Sequence, residues 1–388
     1  MELKDGLTPQ KIRLLQNLER NPYINDEELS NAIGYIYKSS VIKLKNFLEK
    51  IGYISLPLYQ IDYGKLAKNK LSIVNAIIMF DGDYAYVRDL LSLIECYKTF
   101  YPVIEQGYPA YLFTFFVTEE GKIRKILEYL KDRGVILYYE LFKQNYRWYF
   151  KYPKFSIKKD PDLFTPNFEF AEIKFPDMRY GKYEGHLNFC DTRLVMHLEV
   201  GTGTLSKIRK WEYEKFGNSF SYPQLKNSYK KLTKKGIASK YYNIRPVPNK
   251  ECHRGLVLLR CEDFKMTKRL IFNIGKNKRV FEKITYWKSL GKKKNYGVIQ
   301  FYYDSIFFTK FLMGIDNIEE IVEKKMFFLR TFPTNYWRNQ SISMEYYDLK
   351  KQELHFPYDR FFEAVKNKID QDADSGVLEK RIELRDNF

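Results

Sequence analysis

Histidine and cysteine are scarce in this sequence, with four of each in 388 positions. The cysteines (Cys96, Cys190, Cys252 and Cys261) are too few and too scattered for a disulfide scaffold, which predicts reduced thiols. Neither Cys252-His253 with Cys261 nor His186 with Cys190 has the paired C-x2-C spacing of a zinc site, and His197 and His355 stand alone, so no metal is expected. No apolar run reaches the ~18–20 residues of a spanning helix. The longest, 71–80 and 110–117, are strand-sized. The opening MELKDGL has none of the features of a secretory signal. These absences predict a soluble cytoplasmic protein without a membrane partner. Gly201-Thr202-Gly203-Thr204 lacks the lysine of a phosphate loop, no H-E-x-x-H or G-x-S-x-G occurs, and no carboxylate pair is singled out. The sequence therefore predicts no cofactor and no enzymatic activity.

Acidic residues are also in deficit. Asp and Glu number 48 against 66 Lys and Arg, a net charge of +18, which favours polyanionic partners. Hydrophobic residues make up 45% of the chain, enough for several cores, so wholesale disorder is excluded.

The chain reads as one unit written twice. Lys50-Ile51-Gly52 is answered by Lys234-Lys235-Gly236, 184 residues on, and Asn145-Tyr146-Arg147-Trp148 by Asn335-Tyr336-Trp337-Arg338, 190 residues on. Lys158-Lys159, Leu163, Pro166 and Phe170 are answered by Lys350-Lys351, Leu354, Pro357 and Phe361 at offsets of 191 or 192. In the first half, 8–54 read as three helices: Thr8-Pro9 opens the first, and Asn25 with Glu28 forms a capping box for the second. The third runs over 37–51, and a tight turn at Gly34 makes the pair a helix-turn-helix. Residues 71–143 then alternate as strand 71–80, helix 84–97, strands 101–106 and 110–117, helix 119–133 and strand 135–142, the order of a ferredoxin-like sandwich. The second half repeats the order: helices 191–199, 205–216 and 221–235, then strand 256–261, helix 262–274, strands 280–288 and 296–303, helix 305–315 and strand 318–330.

The expected fold class is α+β, two units of winged helix-turn-helix plus βαββαβ sandwich in tandem. The expected divisions are 1–65, a winged helix-turn-helix; 66–143, a sandwich; 144–185, an extended aromatic arm; 186–250, a strongly basic winged helix-turn-helix; 251–330, a second sandwich; and 331–388, an arm and a polar tail that frays beyond 367.

The segment Tyr23-Ile24-Asn25-Asp26-Glu27-Glu28-Leu29-Ser30-Asn31-Ala32-Ile33-Gly34, continued by Ser39-Ser40-Val41 and Leu48-Glu49-Lys50-Ile51-Gly52-Tyr53-Ile54, resembles the helix-turn-helix of the Lrp/AsnC family of prokaryotic transcription regulators. The βαββαβ order that follows is similar to the family's ligand-responsive dimerisation domain. The resemblance implies double-stranded DNA as partner, a small-molecule effector near Gly107, Tyr108 and Pro109, and either a homodimer or a pseudo-dimer within one chain. The loop lacks the aspartate the family usually carries there.

Charge distribution nominates the DNA-contacting residues. Residues 1–65 carry nine Lys/Arg and eight acids, whereas 205–250 carry twelve Lys/Arg against Glu212 and Glu214, a net +10. Phosphate contact drives sequence-independent affinity, so the second module is expected to supply most of the grip. On its third helix Ser221, Gln224, Asn227 and Ser228 are candidates for base edges, and Lys230, Lys231, Lys234 and Lys235 for phosphates. Lys38, Ser39, Ser40 and Lys43 are their equivalents in the first module. A further basic stretch, Lys276 to Lys294, is expected to protect an exposed edge strand. The leading expectation is a transcription regulator reading an imperfect palindrome. Two alternatives stand beside it: an enzyme of the siroheme-decarboxylase type, whose unit is similar but whose sandwich motif contains a histidine that 71–143 lack, and a non-specific architectural nucleic-acid-binding protein.

Overall fold

The computed structural model describes residues 7–105, 108–151, 166–201, 203–245, 248, 253–276, 278, 280–303, 305–329 and 337–375. Helix α1 (Pro9–Arg20) begins where Thr8 Oγ1 accepts from the Lys11 amide, with Pro9 at the position that needs no N–H partner. Helix α2 (Asp26–Ile33) opens on the Asn25/Glu28 capping box and ends at Gly34, whose φ of 78° is left-handed. Helix α3 (Lys38–Lys50) completes the first helix-turn-helix, closed on its own small core of Leu15, Leu18, Leu29, Val41 and Leu48.

Strand β1 (Leu58–Ile61) and a short turn at Tyr63–Lys65 lead into the first sandwich: β2 (Ser72–Met79), α4 (Tyr84–Ser92), β3 (Tyr97–Glu105), β4 (Tyr108–Val117), α5 (Glu120–Asp132) and β5 (Tyr138–Tyr149). The second unit follows the same order. Helices α6 (Phe189–Val200), α7 (Leu205–Phe216) and α8 (Tyr222–Lys234) precede β6 (Ala238–Tyr241), β7 (His253–Cys261), α9 (Phe264–Gly275), β8 (Phe281–Ser289), β9 (Asn295–Tyr303), α10 (Ser305–Asp316) and β10 (Ile321–Leu329). Capping boxes at Asn188/Asp191 and Ser221/Gln224 set the starts of α6 and α8. The chain is thus α+β, two units of winged helix-turn-helix plus βαββαβ sandwich in tandem.

The eight sandwich strands form one sheet, β10-β7-β9-β8-β5-β2-β4-β3, extended at β3 by a short β11 (Arg338–Asn339). Strand β5 joins the halves, pairing antiparallel with β2 along one edge and with β8 along the other. The sheet rolls until β10 meets β3. All eight strands then contribute to one inner core, which includes Ile77, Leu112, Phe142, Leu256, Trp287, Val298 and Phe327. The opposite faces carry helices α4 and α5 on the first half and α9 and α10 on the second. The period of two along each strand divides its side chains between these layers: Val74, Ala76 and Ile78 lie under the helices, Ile77 and Met79 inside the roll. Outside it, β1 pairs with β6, so the two helix-turn-helix modules share a single two-stranded ribbon.

Three expectations change. The expected arm at 144–185 begins as strand: β5 continues to Tyr149, because β8 offers it a full edge of main-chain partners. Strands β8 and β9 are both paired on two sides, so the lysines between them protect no edge; Lys292 and Lys294 instead reach Glu140 and Glu323. The tail expected to fray from 367 is helical to Asp374 as α11 (Tyr358–Asp374), with Phe361, Val365 and Ile369 buried; residues 376–388 lie outside the described ones. Among the described residues no helix is long and apolar enough to cross a membrane.

Helix α9 sits directly on β9. A Cβ at Gly297 would lie 2.7 Å from Ile271 Cδ1 and Cγ2 and 3.0 Å from Thr267 Cγ2. Gly297→Val should destabilise the fold by about 1–3 kcal/mol, the range for overpacking a filled core, read from urea unfolding. A variant as stable as the parent would show that α9 is not seated there.

Candidate functional site

The inner core does not fill the roll. At the end facing the helix-turn-helix modules the inward positions turn polar, and a chamber of about 120 Å³ opens between the halves. Leu112, Leu256, Val298, Trp287 and Leu329 make its apolar wall. Four cations line it: Lys98 from β3, Arg147 from β5, Arg254 from β7 and Lys283 from β8. Among the described residues no carboxylate lines it.

Each cation is fixed differently. Lys98 contacts Glu199 of α6 and the Tyr63 hydroxyl, and Glu199 also accepts the Ile342 amide at 2.8 Å. Arg254 Nη2 lies 2.9 Å from Glu282 Oε2. Burial would raise the Glu282 carboxyl, but Arg254 and Lys283 outweigh it and hold it below its usual range. Arg147 has no carboxylate partner: its Nη2 donates to the Ile61 carbonyl at 2.8 Å, and its guanidinium lies 5.3–5.5 Å from the ring centres of Tyr63, Tyr149 and Tyr180. Lys283 lies 5.9 Å from the Tyr149 ring.

Tyr149 is therefore the unusual acid of the chamber. Burial disfavours its phenolate, yet Lys283 and Arg147 beside it overcome that penalty and hold the phenol below its ordinary value. Three further donors belong to lining residues and have no hydrogen-bond partner, though the atoms themselves are fully buried: Asn75 Nδ2, Arg254 Nε and Trp287 Nε1. Each unmade bond costs about 1–3 kcal/mol in a buried site. A chamber whose described lining carries four cations and no acid is chemically matched to carboxylate or phosphate oxygens.

Tyr63, Ile73 and Gln144 line this chamber and also a second of about 490 Å³ outside it. The outer chamber is bounded by Lys68, Lys70, Lys143, Arg179 and Lys182 and by Tyr146, Tyr180 and Tyr183, and by no acid among the described residues. Its volume falls in the range of small-molecule sites. The far end of the roll has the opposite character. Glu140 lies 3.0 Å from Lys292 and 2.6 Å from Lys325, and Glu323 is bonded by Lys294, Arg260 and Tyr296. Both are the third residue of their strand, and these pairs fill that end.

The residues nominated from the sequence lie elsewhere. Lys38, Ser39 and Lys43 are exposed on the first turns of α3 and Ser40 is half-buried. Ser221 and Gln224 cap α8 reciprocally, and Asn227, Lys230 and Lys234 are exposed. Ser228 is corrected: it is 4% exposed and cannot reach a base edge, because that side of α8 packs on α6. Lys231 pairs with Asp191 at 2.5 Å and Lys235 bonds the Glu184 carbonyl at 3.5 Å, so neither is a free phosphate contact. In the expected effector loop Tyr108 and Pro109 begin β4 and line neither chamber, and Gly107 lies outside the described residues, as does Cys252. Among the described residues no histidine lines either chamber.

No protein-family model matches the sequence, and no curated protein matches it. Among solved structures, the crystal structure of the siroheme decarboxylase NirDL is similar over 93% of this chain and 99% of its own, at 11% identity and a TM-score of 0.50. The same enzyme in co-complex with an iron-uroporphyrin III analogue matches over the same shares at 12% identity and a TM-score of 0.50. The leucine response regulatory protein LrpA of Mycobacterium tuberculosis, an Lrp-type regulator, covers 35% of this chain and 91% of its own, at 21% identity and a TM-score of 0.25. Similarity at these identities is similarity of fold. It nevertheless corrects the expectation of a non-enzyme, since the structures that match end to end are those of an enzyme. The physical reason is that the chamber's residues come from β3, β5, β7 and β8, and no local motif announces them.

The sealed end supplies a pH test. Burial would raise the Glu323 carboxyl, but hydrogen bonds from Lys294, Tyr296 and Arg260 outweigh it and hold it at about 2. A carboxyl depressed from 4.5 in the folded state stabilises fully above that value and loses its contribution as pH falls toward 2. Glu323→Gln should therefore destabilise the protein at neutral pH, with the difference from the parent shrinking between pH 4.5 and 2 in urea unfolding. A difference independent of pH would remove the ion-pair account.

Proposed function

We propose that this chain is a decarboxylase acting on a polycarboxylate tetrapyrrole of the siroheme class. The observation that carries the reading is the acid-free inner chamber, in which Arg147 and Lys283 flank a phenol of lowered pKa. The end-to-end likeness of fold to a siroheme decarboxylase supports it. Size divides the work. The inner chamber accommodates one carboxylate-bearing arm, while the outer chamber, walled by tyrosines and cations, suits part of a flat anionic macrocycle.

The chemistry follows from these side chains. Arg147, anchored on the Ile61 carbonyl, and Lys283 hold the arm's carboxylate. The C–CO2 bond breaks with its electron pair left on the arm carbon and conjugated into the macrocycle, and neutral CO2 leaves against the apolar wall. Tyr149 then gives its phenolic proton to that carbon, which leaves a methyl group. The cations that lower the phenol's pKa also hold the resulting phenolate.

Titration with siroheme or iron-uroporphyrin III should shift the ligand's visible absorption, and anaerobic incubation with siroheme should yield product lighter by CO2. Tyr149→Phe should lower turnover by about 10²–10⁴-fold with binding retained. Arg147→Ala should weaken binding at least about tenfold, since charge-assisted pairs contribute roughly 1.5–3 kcal/mol. No spectral shift and no loss of CO2 would sink the reading.

A second reading, duplex DNA binding by the helix-turn-helix modules, is favoured by the open first turn of α3, where Ile36 is 89% and Tyr37 68% exposed beside Lys38 and Lys43. Anisotropy with the chain's own upstream DNA and with shuffled duplex should then separate the two by roughly 10³-fold at ~200 mM salt. Equal affinity for both would remove it.

A further inference from the structure

Helix α7 carries a surface feature that neither reading uses. Lys207, Trp211 and Lys215 follow one another at i, i+4 spacing along its exposed side, so cation and ring alternate turn by turn at about 5.4 Å. Trp211 is 41% exposed, and its ring centre lies 5.2 Å from that of Phe216, itself 49% exposed at the helix end. Phe216 covers the Arg193 guanidinium of α6 at 4.1 Å, and one turn earlier on α6 stands Phe189, 47% exposed and 5.8 Å from Phe220. Four rings thus form a ridge across α6, α7 and the turn that follows.

The ridge is rigid for a visible reason. Beneath it Glu212, fully buried, accepts from Arg193 Nη2 at 2.8 Å, from Asn218 Nδ2 at 2.6 Å and from His197 Nε2 at 2.6 Å. That network ties α6, α7 and the turn at Gly217 into one piece, so the rings above are held in place. It also removes the acid nearest the ridge, and the other, Glu214, pairs with Lys210. The helix at the same place in the first module, α2, begins Asp26-Glu27-Glu28 and carries no aromatic residue, so the ridge is not a requirement of the fold.

We propose that this ridge binds single-stranded nucleic acid, with bases stacked on Trp211, Phe216 and Phe189 and phosphates held by Lys207 and Lys215. Stacking on rings with interleaved cations is the physics of sequence-tolerant single-strand binding. A duplex keeps its bases inside and offers no face to such a ridge. A helix that lies on a membrane segregates its apolar residues to one side, whereas α7 alternates them with lysine along a single stripe.

The experiment titrates the full chain with a short oligothymidylate, following tryptophan fluorescence at ~50 and ~200 mM salt. Quenching is expected in the parent and lost in Trp211→Phe, which keeps a ring while removing the reporter. Read from the anisotropy of a dye-labelled oligothymidylate, Trp211→Ala should weaken binding at least about fivefold, the lower bound for one stacked base. Lys207→Gln with Lys215→Gln should flatten the log–log salt slope by about 1.4, two contacts at ~0.7 each. All three positions are exposed, so an unchanged thermal midpoint is the folding control. Three outcomes overturn the proposal: no quenching in the parent, tighter binding of a duplex of the same length, or binding of anionic phosphatidylserine vesicles with none of the oligonucleotide.

Discussion

Strand β5 has neighbours on both edges, and the architecture follows from that constraint. Its main-chain groups pair with β2 on one side and β8 on the other, so separating the two sandwiches would strip a full row of hydrogen bonds from the strand. The pairing fixes more than adhesion. Because β5 and β8 are antiparallel, the inward residues of both halves point into one space, and the start of β8 meets the end of β5. Lys283, Arg147 and Tyr149 are thereby neighbours, although 134 residues separate Tyr149 from Lys283 in sequence.

The interior of the roll then divides by charge. At one end the acids Glu140 and Glu323 are present and fully engaged, each by two cations. At the other end the acids stand behind the cations rather than in the chamber: Glu199 behind Lys98 and Glu282 behind Arg254. Arg147 bonds a main-chain carbonyl rather than a carboxylate, and Lys283 shares Glu282 with Arg254, in a space walled by leucine, valine and tryptophan. Buried charge of one sign is expensive unless something of the other sign arrives. The same residues that make the empty chamber unfavourable make it selective for an anion.

Much of the scaffold was legible in the sequence, because helix caps and alternation are local. Thr8-Pro9, Asn25/Glu28 and Ser221/Gln224 start helices where their chemistry requires, and each sandwich has its elements in the expected order. The site was not legible. Its cations are inward residues near the ends of four different strands, and only the sheet's closure reveals that they converge. One signal was present: the echo at Asn145-Tyr146-Arg147-Trp148 contains the arginine that matters, but an echo says nothing about direction. Helix 84–97, expected as one piece, ends at Ser92, and the strand begun at Tyr97 includes Lys98. The loudest sequence signal, the basic stretch at 205–250, lies on the helix-turn-helix surface and contributes no residue to either chamber.

Both units belong to one chain, and this changes what can stand where they meet. In a symmetric homodimer any residue placed near the axis occurs twice, so a cleft there must be a mirror of itself in composition. Here Tyr149 faces Lys283 with no obligatory second copy of either, and the two walls are free to differ residue by residue. A lopsided molecule, with arms that differ around its rim, can be received in one orientation instead of two. Covalent joining also fixes the ratio of the two walls at one to one and passes substitutions in both to descendants together, so a change on one wall and its compensation on the other are inherited as a single trait.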